Sequence, residues 1–220
     1  MRDAWRLFRQ APSVWMLLFA LFIFSQLILA AIPFLGNFLS TLIMPLLFAG
    51  LMQAASEPYP SPKCLLAGFY RNASPLITLG GTLMVAEFLC EVGAATLVGD
   101  DWRVFMGNGA MPPVEDLFSF MLYLMLLYSP FILASWLAPP LIYFRNVDAF
   151  TAMQGSLTAI WKNVPALTIY GLWTIAHLFL AGLTFGVTLL FSGPILVIST
   201  YLAYNDLFDK ASKEGSHPVN

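Results

Sequence analysis

Charge is scarce in this chain. Only 10% of its 220 residues are Asp, Glu, Lys or Arg, against about 25% in ordinary soluble domains, so the solvated surface that a soluble globule needs cannot be assembled. Thiols are equally sparse. The two cysteines, Cys64 in a polar connection and Cys90 deep in an apolar run, stand at different depths and exclude a disulfide framework. No CxxC pair or Cys/His cluster exists to hold zinc, and the ten methionines show no repeated metal-ligand spacing. There is no glycine-rich phosphate loop and no nucleophile set beside a base, since Ser25 and Ser135 lack a local partner. Neither a metal, nor another cofactor, nor an enzymatic activity is expected. Nucleic acid is not an expected partner.

What fills the chain is apolar. Hydrophobic residues make up 59% of it and the mean hydropathy is +0.78, which reads as a membrane protein. A spanning helix needs about 20 mostly apolar residues, because the hydrocarbon core is about 30 Å thick. Six runs meet that length: from about Ser13 to Ile32, Phe38 to Ala55, Pro75 to Val98, Leu117 to Phe144, Pro165 to Gly182 and Gly186 to Tyr204. The first is longer than a signal-peptide core and lacks a small-x-small site after it, so it is read as a span that is kept. Pro45, Pro130, Pro139-Pro140 and Pro194 lie within the even-numbered runs, where they remove backbone hydrogen bonds.

Three places share one pattern. Arg9-Gln10, Arg71-Asn72 and Lys162-Asn163 each stand just before Pro12, Pro75 and Pro165, and each follows a short amphipathic stretch. In the first, Arg2, Arg6 and Arg9 recur at helical spacing opposite Ala4 and Phe8, the pattern of an interfacial helix or of a basic topogenic segment. In the second, Ser61-Pro62 caps a helix reaching Tyr70. In the third, Asp148 caps a helix whose stripe is Ala149, Ala152, Met153, Ser156, Leu157 and Ile160. Asn163 is expected to cap the helix that follows it. Lys162 marks the head-group level. The pattern predicts three parallel repeat units over about 1–57, 58–147 and 148–213, forming one transmembrane domain with a flexible tail over 214–220. The expected fold is therefore all-α: a polytopic bundle of six transmembrane helices in three parallel hairpins with short amphipathic helices on one face.

Sides follow from charge. Alternating the spans puts Arg2, Arg6, Arg9, Lys63, Arg71, Arg145, Lys162, Lys210 and Lys213 on one face and Arg103 alone on the other, beside Asp100, Asp101, Glu115 and Asp116. The positive-inside rule then predicts that both termini are cytoplasmic.

The third unit is specific enough to compare. Asp148-Ala149, then Ser156, Lys162-Asn163 and Tyr170-Gly171, followed by Pro194, Tyr204 and Asp206, together with the opening AWRLFRQAP, resemble an uncharacterised family of proteobacterial six-helix inner-membrane proteins. The resemblance covers most of the chain and is poorest in the middle unit. It implies topology and a bacterial inner-membrane location, and it brings no activity with it.

Polar groups within the spans are the remaining candidates for chemistry, because an ionised group at mid-membrane costs about 2.5–3.5 kcal/mol or more. Glu87 and Glu91 lie one helical turn apart, His177 is in the fifth span and Gln26 in the first. Glu87 and His177 each stand twelve residues beyond their entry prolines and Gln26 fourteen, so the register puts the three at similar depth. Converging, they would form a proton relay or cation site; the alternative is that Glu87 is protonated or paired with His177 as interhelical glue, with Glu91 reaching the periplasmic interface. Two functions are thus weighed. One is an accessory or structural component that docks lipid, a membrane-protein partner or a second copy through the basic helices; the other is a small-solute or ion transporter using Glu87, His177 and Gln26. An acid/base pair of Glu87 with His177 is the remaining route to an enzyme.

Overall fold

The computed structural model describes residues 2–33, 35–99, 113–184 and 186–214. Among these, all regular structure is helical: α1 (Arg2–Gln10), α2 (Pro12–Ala30), α3 (Leu35–Ser56), a 3-10 turn (Pro62–Leu66), α4 (Ala67–Tyr70), α5 (Ala73–Val98), α6 (Val114–Trp136), α7 (Ala138–Arg145), α8 (Ala149–Lys162), α9 (Val164–Leu183) and α10 (Leu189–Glu214). The acidic connection holding Asp100, Asp101 and Arg103 lies outside the described residues.

Four stretches are long and apolar enough to cross a membrane: Pro12–Ala30, Leu35–Ser56, Ala73–Val98 and Val114–Arg145. The apolar part of α9, Thr168–Leu183, is shorter. The last helix is 26 residues long but runs into a polar end, Asn205 to Glu214. The chain is a helical membrane protein, and four of its helices qualify as spans on length and composition.

Each of the three basic-amide sites is a break between a short helix and a long one. The first falls at Ala11, whose φ of −147° and ψ of 63° end α1 before Pro12 opens α2. At the second, Asn72 adopts a left-handed φ of 57° before α5. At the third, Asn163 separates α8 from α9. Asn163 does not cap the helix after it: its Nδ2 donates to Ala159 O at 2.8 Å, closing the helix before it. Ser61 likewise makes no cap bond, and its hydroxyl sits 3.6 Å from Cys64 Sγ. A hydroxyl or amide at a helix entry satisfies whichever neighbour lies in reach, and at both sites that is another side chain or a carbonyl. Asp148 does cap, accepting from Thr151 N at 3.0 Å and from Thr151 Oγ1 at 2.5 Å.

Proline acts differently along the chain. Helix α3 runs through Pro45 and α6 through Pro130, whereas Pro139 and Pro140 fall in the first turn of α7, where no amide donor is required, and the long helix breaks at Leu137. The broken ladder is closed from another helix. Ser156, fully buried on α8, accepts from Leu137 N at 3.2 Å and donates to Leu133 O at 2.9 Å, so its hydroxyl stands where the direct bond between those two residues would run. Small residues permit this approach: Ala149, Ala152 and Ala159 are buried with Ser156 on the same face of α8.

Close backbone approach recurs beside α3. A Cβ on Gly80 would stand 2.3 Å from Leu42 O, and one on Gly68 2.2 Å from Leu46 O, so α5 and α4 rest directly on α3. Gly81, one residue on, meets only the tip of Leu42 at 4.0 Å.

Burial is uneven along the helix axes. One core joins Leu46, Leu76, Leu79, Leu141, Ile142 and Tyr204; the other joins Phe8, Trp15, Leu18, Leu51, Met52 and Ile198. Both lie at the end carrying the basic residues. At the opposite end the described core shrinks to Ala94 and Phe120 with a few half-buried neighbours, while Phe24, Leu27, Phe118, Met125 and Leu126 are exposed.

Two mutations check these contacts. Ser156→Ala removes the hydroxyl that bonds the Leu137 amide and the Leu133 carbonyl and leaves the amide only Ser135 O, and thermal unfolding in detergent should show a loss of about 1–3 kcal/mol, the usual penalty for an orphaned buried group. Asp148 has its pKa lowered, first by the Thr151 hydroxyl and then by the Thr151 amide. A lowered folded-state value means that the cap stabilises α8 fully above the ordinary carboxylate value and stops doing so as pH falls through the depressed one. The protection of the Thr151 amide against exchange, relative to its intrinsic rate at each pH, should therefore fall as pH drops below the ordinary carboxylate range, and Asp148→Ala should lack that protection at every pH.

Candidate functional site

Glu87 is half-buried on α5 and turns both oxygens to α3. Its Oε1 accepts from Asn37 Nδ2 at 2.7 Å and its Oε2 from Thr41 Oγ1 at 2.6 Å. Asn37 and Thr41 are one turn apart, and Ser40 lies on the adjoining strip of the same helix, where its hydroxyl donates to Oε1 of Gln26 on α2. The Gln26 amide nitrogen is buried and has no hydrogen-bond partner among the described residues. A polar seam thus runs from α2 through α3 to α5 inside otherwise apolar helices, with half-buried Glu91 one turn beyond Glu87.

His177 is not part of this seam. Its Nδ1 lies 2.8 Å from Trp173 O on its own helix, and its ring sits 4.5 Å from the Trp173 ring. Helix α9 makes its main contacts with α10 and α8. The structure brings Gln26 and Glu87 to neighbouring positions on α3 and leaves His177 apart. The seam partners Asn37, Ser40 and Thr41 were missed in the sequence, although their i, i+3, i+4 spacing in an apolar run carried the signal.

The basic residues divide. Arg2, Arg6 and Arg9 are exposed along α1, while Ala4 and Phe8 on its other face are buried, mainly against α10. Lys162 is exposed at the end of α8. Arg71 is exposed but also lies over the Tyr143 ring, 5.2 Å from its centroid. Beside it Asn72 Nδ2 donates to Ile142 O at 2.9 Å and to Asn146 Oδ1 at 2.8 Å, which ties the second break to the end of α7. Arg145, at that end, donates to Phe208 O at 2.7 Å.

A cavity of about 570 Å³ opens between α9 and the rest of the bundle. Its wall on α9 is Tyr170, Gly171, Thr174, Ile175 and Leu178, one helix face; Phe19, Phe22, Met44, Leu83, Trp136 and Leu196 stand among the residues opposite. The lining is apolar except for a few hydroxyls. Tyr170 donates to Leu196 O at 3.1 Å and stands 3.2 Å from Thr200 Oγ1, and the Trp136 ring lies 5.2 Å from the Tyr170 ring. None of Gln26, Glu87, Glu91 or His177 lines the cavity. Tyr170 and Gly171, matched in the sequence through a family resemblance alone, do.

The chain is 29% identical over 203 residues to a probable inner membrane protein of Burkholderia thailandensis, in a match that covers 84% of this chain and 73% of the relative. No protein-family model matches the chain, and no solved structure does. The similarity agrees with the resemblance to uncharacterised proteobacterial inner-membrane proteins.

The seam can be probed by its hydrogen bonds. Glu87→Leu leaves Asn37 and Thr41 facing an apolar side chain and should destabilise the protein by about 1–3 kcal/mol in detergent melts, whereas Glu87→Gln, which retains one carbonyl acceptor, should cost less. His177→Ala should leave the Glu87→Leu effect unchanged in a double-mutant cycle, because the two residues share no partner.

Proposed function

We propose that this is a non-enzymatic, multi-pass protein of a bacterial inner membrane, in which α9 and α10 join the four longer spans to give six, arranged as three parallel hairpins with both termini in the cytoplasm. It acts as an accessory or structural component, docking lipid or a partner protein through its basic short helices. The observation that carries this reading is α1, whose buried Ala4 and Phe8 hold it to the bundle while Arg2, Arg6 and Arg9 face outward with Trp5 at 49% exposure. A docked helix with its cations displayed is built to meet an anionic surface, and Trp suits the interface. The printed name of the Burkholderia relative supports the inner-membrane placement.

Transport through Glu87, His177 and Gln26 is the alternative, and the geometry favours it less. Both oxygens of Glu87 are engaged by α3, His177 is bonded to its own helix, and the cavity beside α9 is apolar and is lined by neither.

The test uses the three arginines. A basic residue near an anionic surface contributes about 1 kcal/mol, so replacing Arg2, Arg6 and Arg9 with Ala should weaken the preference of the purified protein for phosphatidylglycerol over phosphatidylcholine by at most on the order of 100-fold. The preference of the native chain should fall with added salt, as screening requires. Equal retention of phosphatidylglycerol by native and triple-Ala proteins would refute lipid docking through α1, and proton-dependent uptake into proteoliposomes that Glu87→Gln abolishes would replace the accessory reading with the transport one.

A further inference from the structure

The cavity beside α9 has a size, a polarity and an opening that select an occupant. With the protein in the membrane as proposed, a placement on which this inference rests, the cavity lies within the bilayer. Its walls come from α2, α3, α5, α6, α7, α9 and α10, and on the α9 side the helix stands off from the bundle, so that Ile175 and Leu178 remain 64% and 54% exposed although they line it. Water gains nothing from such walls, because a buried water needs two to four polar partners.

Size favours a narrow occupant. A helix from a partner is about 10 Å across, and a cavity of about 570 Å³ accommodates only part of a full span. A hydrocarbon chain is thin enough to enter, and the volume is ample for at least one fatty-acyl chain.

Polarity agrees. The few hydroxyls of the lining bond to backbone carbonyls, Tyr170 and Thr200 donating to Leu196 O at 3.1 Å and 3.0 Å and Thr174 to Tyr170 O at 3.0 Å, which leaves apolar side chains such as Phe22, Leu178 and Leu189 to meet an occupant.

We propose that the cavity between α9 and the bundle binds an acyl chain of a membrane phospholipid, entering beside α9 from the hydrocarbon of the bilayer, with Phe22, Leu178 and Leu189 around the chain.

Gly171 supplies the test. It lines the cavity, and a Cβ built there meets nothing within 4 Å, so Gly171→Phe starts from open space and places its ring in the site. Gly182 has the same open surroundings but does not line the cavity, which makes Gly182→Phe the control. The full chain is reconstituted in vesicles of phosphatidylethanolamine and phosphatidylglycerol carrying a trace of phosphatidylglycerol with a mid-chain diazirine, then illuminated, and the labelled residues are mapped by mass spectrometry. The native chain should be labelled at Leu196 and Ile175 as well as at Leu172 and Phe179, which are exposed on α9 and do not line the cavity. Gly171→Phe should lose the label at Leu196 and keep it at Leu172 and Phe179; Gly182→Phe should keep all of them. Should Gly171→Phe not fold, Ile175→Trp narrows the same space and is read in the same way at Leu196. Label at Leu196 that survives the filling substitution overturns the site while leaving the membrane reading intact. Absence of label at every position, Leu172 and Phe179 included, overturns both.

Discussion

A single hydroxyl decides how the second half of the molecule is put together. The prolines at 139 and 140 forbid a straight helix from Val114 to Arg145, and the ladder must open near Leu137. In an apolar medium an open ladder is untenable unless another group fills it. Ser156 fills it from α8, and to reach that place α8 must present alanines to α6 and α7 and lie close against them. The position of α8 in turn fixes where α9 begins, because only Asn163 separates the two helices. The stand-off of α9, and the cavity beside it, therefore descend from the way one broken helix is mended.

The same logic explains why the basic end is packed and the other end is not. Breaks, caps and short helices collect where the chain enters and leaves the apolar region on one side, and each brings its own side chains into the core: Phe8 from α1, Leu65 from the 3-10 turn, Ala149 and Ala152 from α8. The opposite ends of the spans have no such additions among the described residues and rely on apolar contact with their surroundings. Hydrophobicity alone does not hold helices together in lipid. Close backbone contacts such as Gly80 against Leu42, and polar seams such as Asn37–Glu87–Thr41, supply what burial would supply in water.

Much of this was legible in the residues. Long apolar runs and their prolines announced the helical class, and the amide-proline sites marked three real breaks in the chain. Asp148 read correctly as a cap because its partner is three residues away. Asn163 read wrongly because an amide bonds forward or backward equally well and sequence does not say which. The polar positions Gln26 and Glu87 were visible, but their partnership was not: counting from the entry prolines gives depth and says nothing of azimuth, and it is azimuth that places Glu87 against α3 and His177 against its own Trp173. Ser156 was visible on the stripe of its helix, but its bonds to Leu133 and Leu137 and the cavity beside α9 were not, since both arise from how distant segments meet.

Helix α1 is made well before the element that covers most of it. Ala4 and Phe8 are buried chiefly by α10, near Val197 and Ile198, so α1 waits for its main partner while the helices between them are made. In that interval its arginines and Trp5 are the groups available to keep it at the membrane surface. A chain truncated before Val197 would lose the principal contact that holds α1 to the bundle.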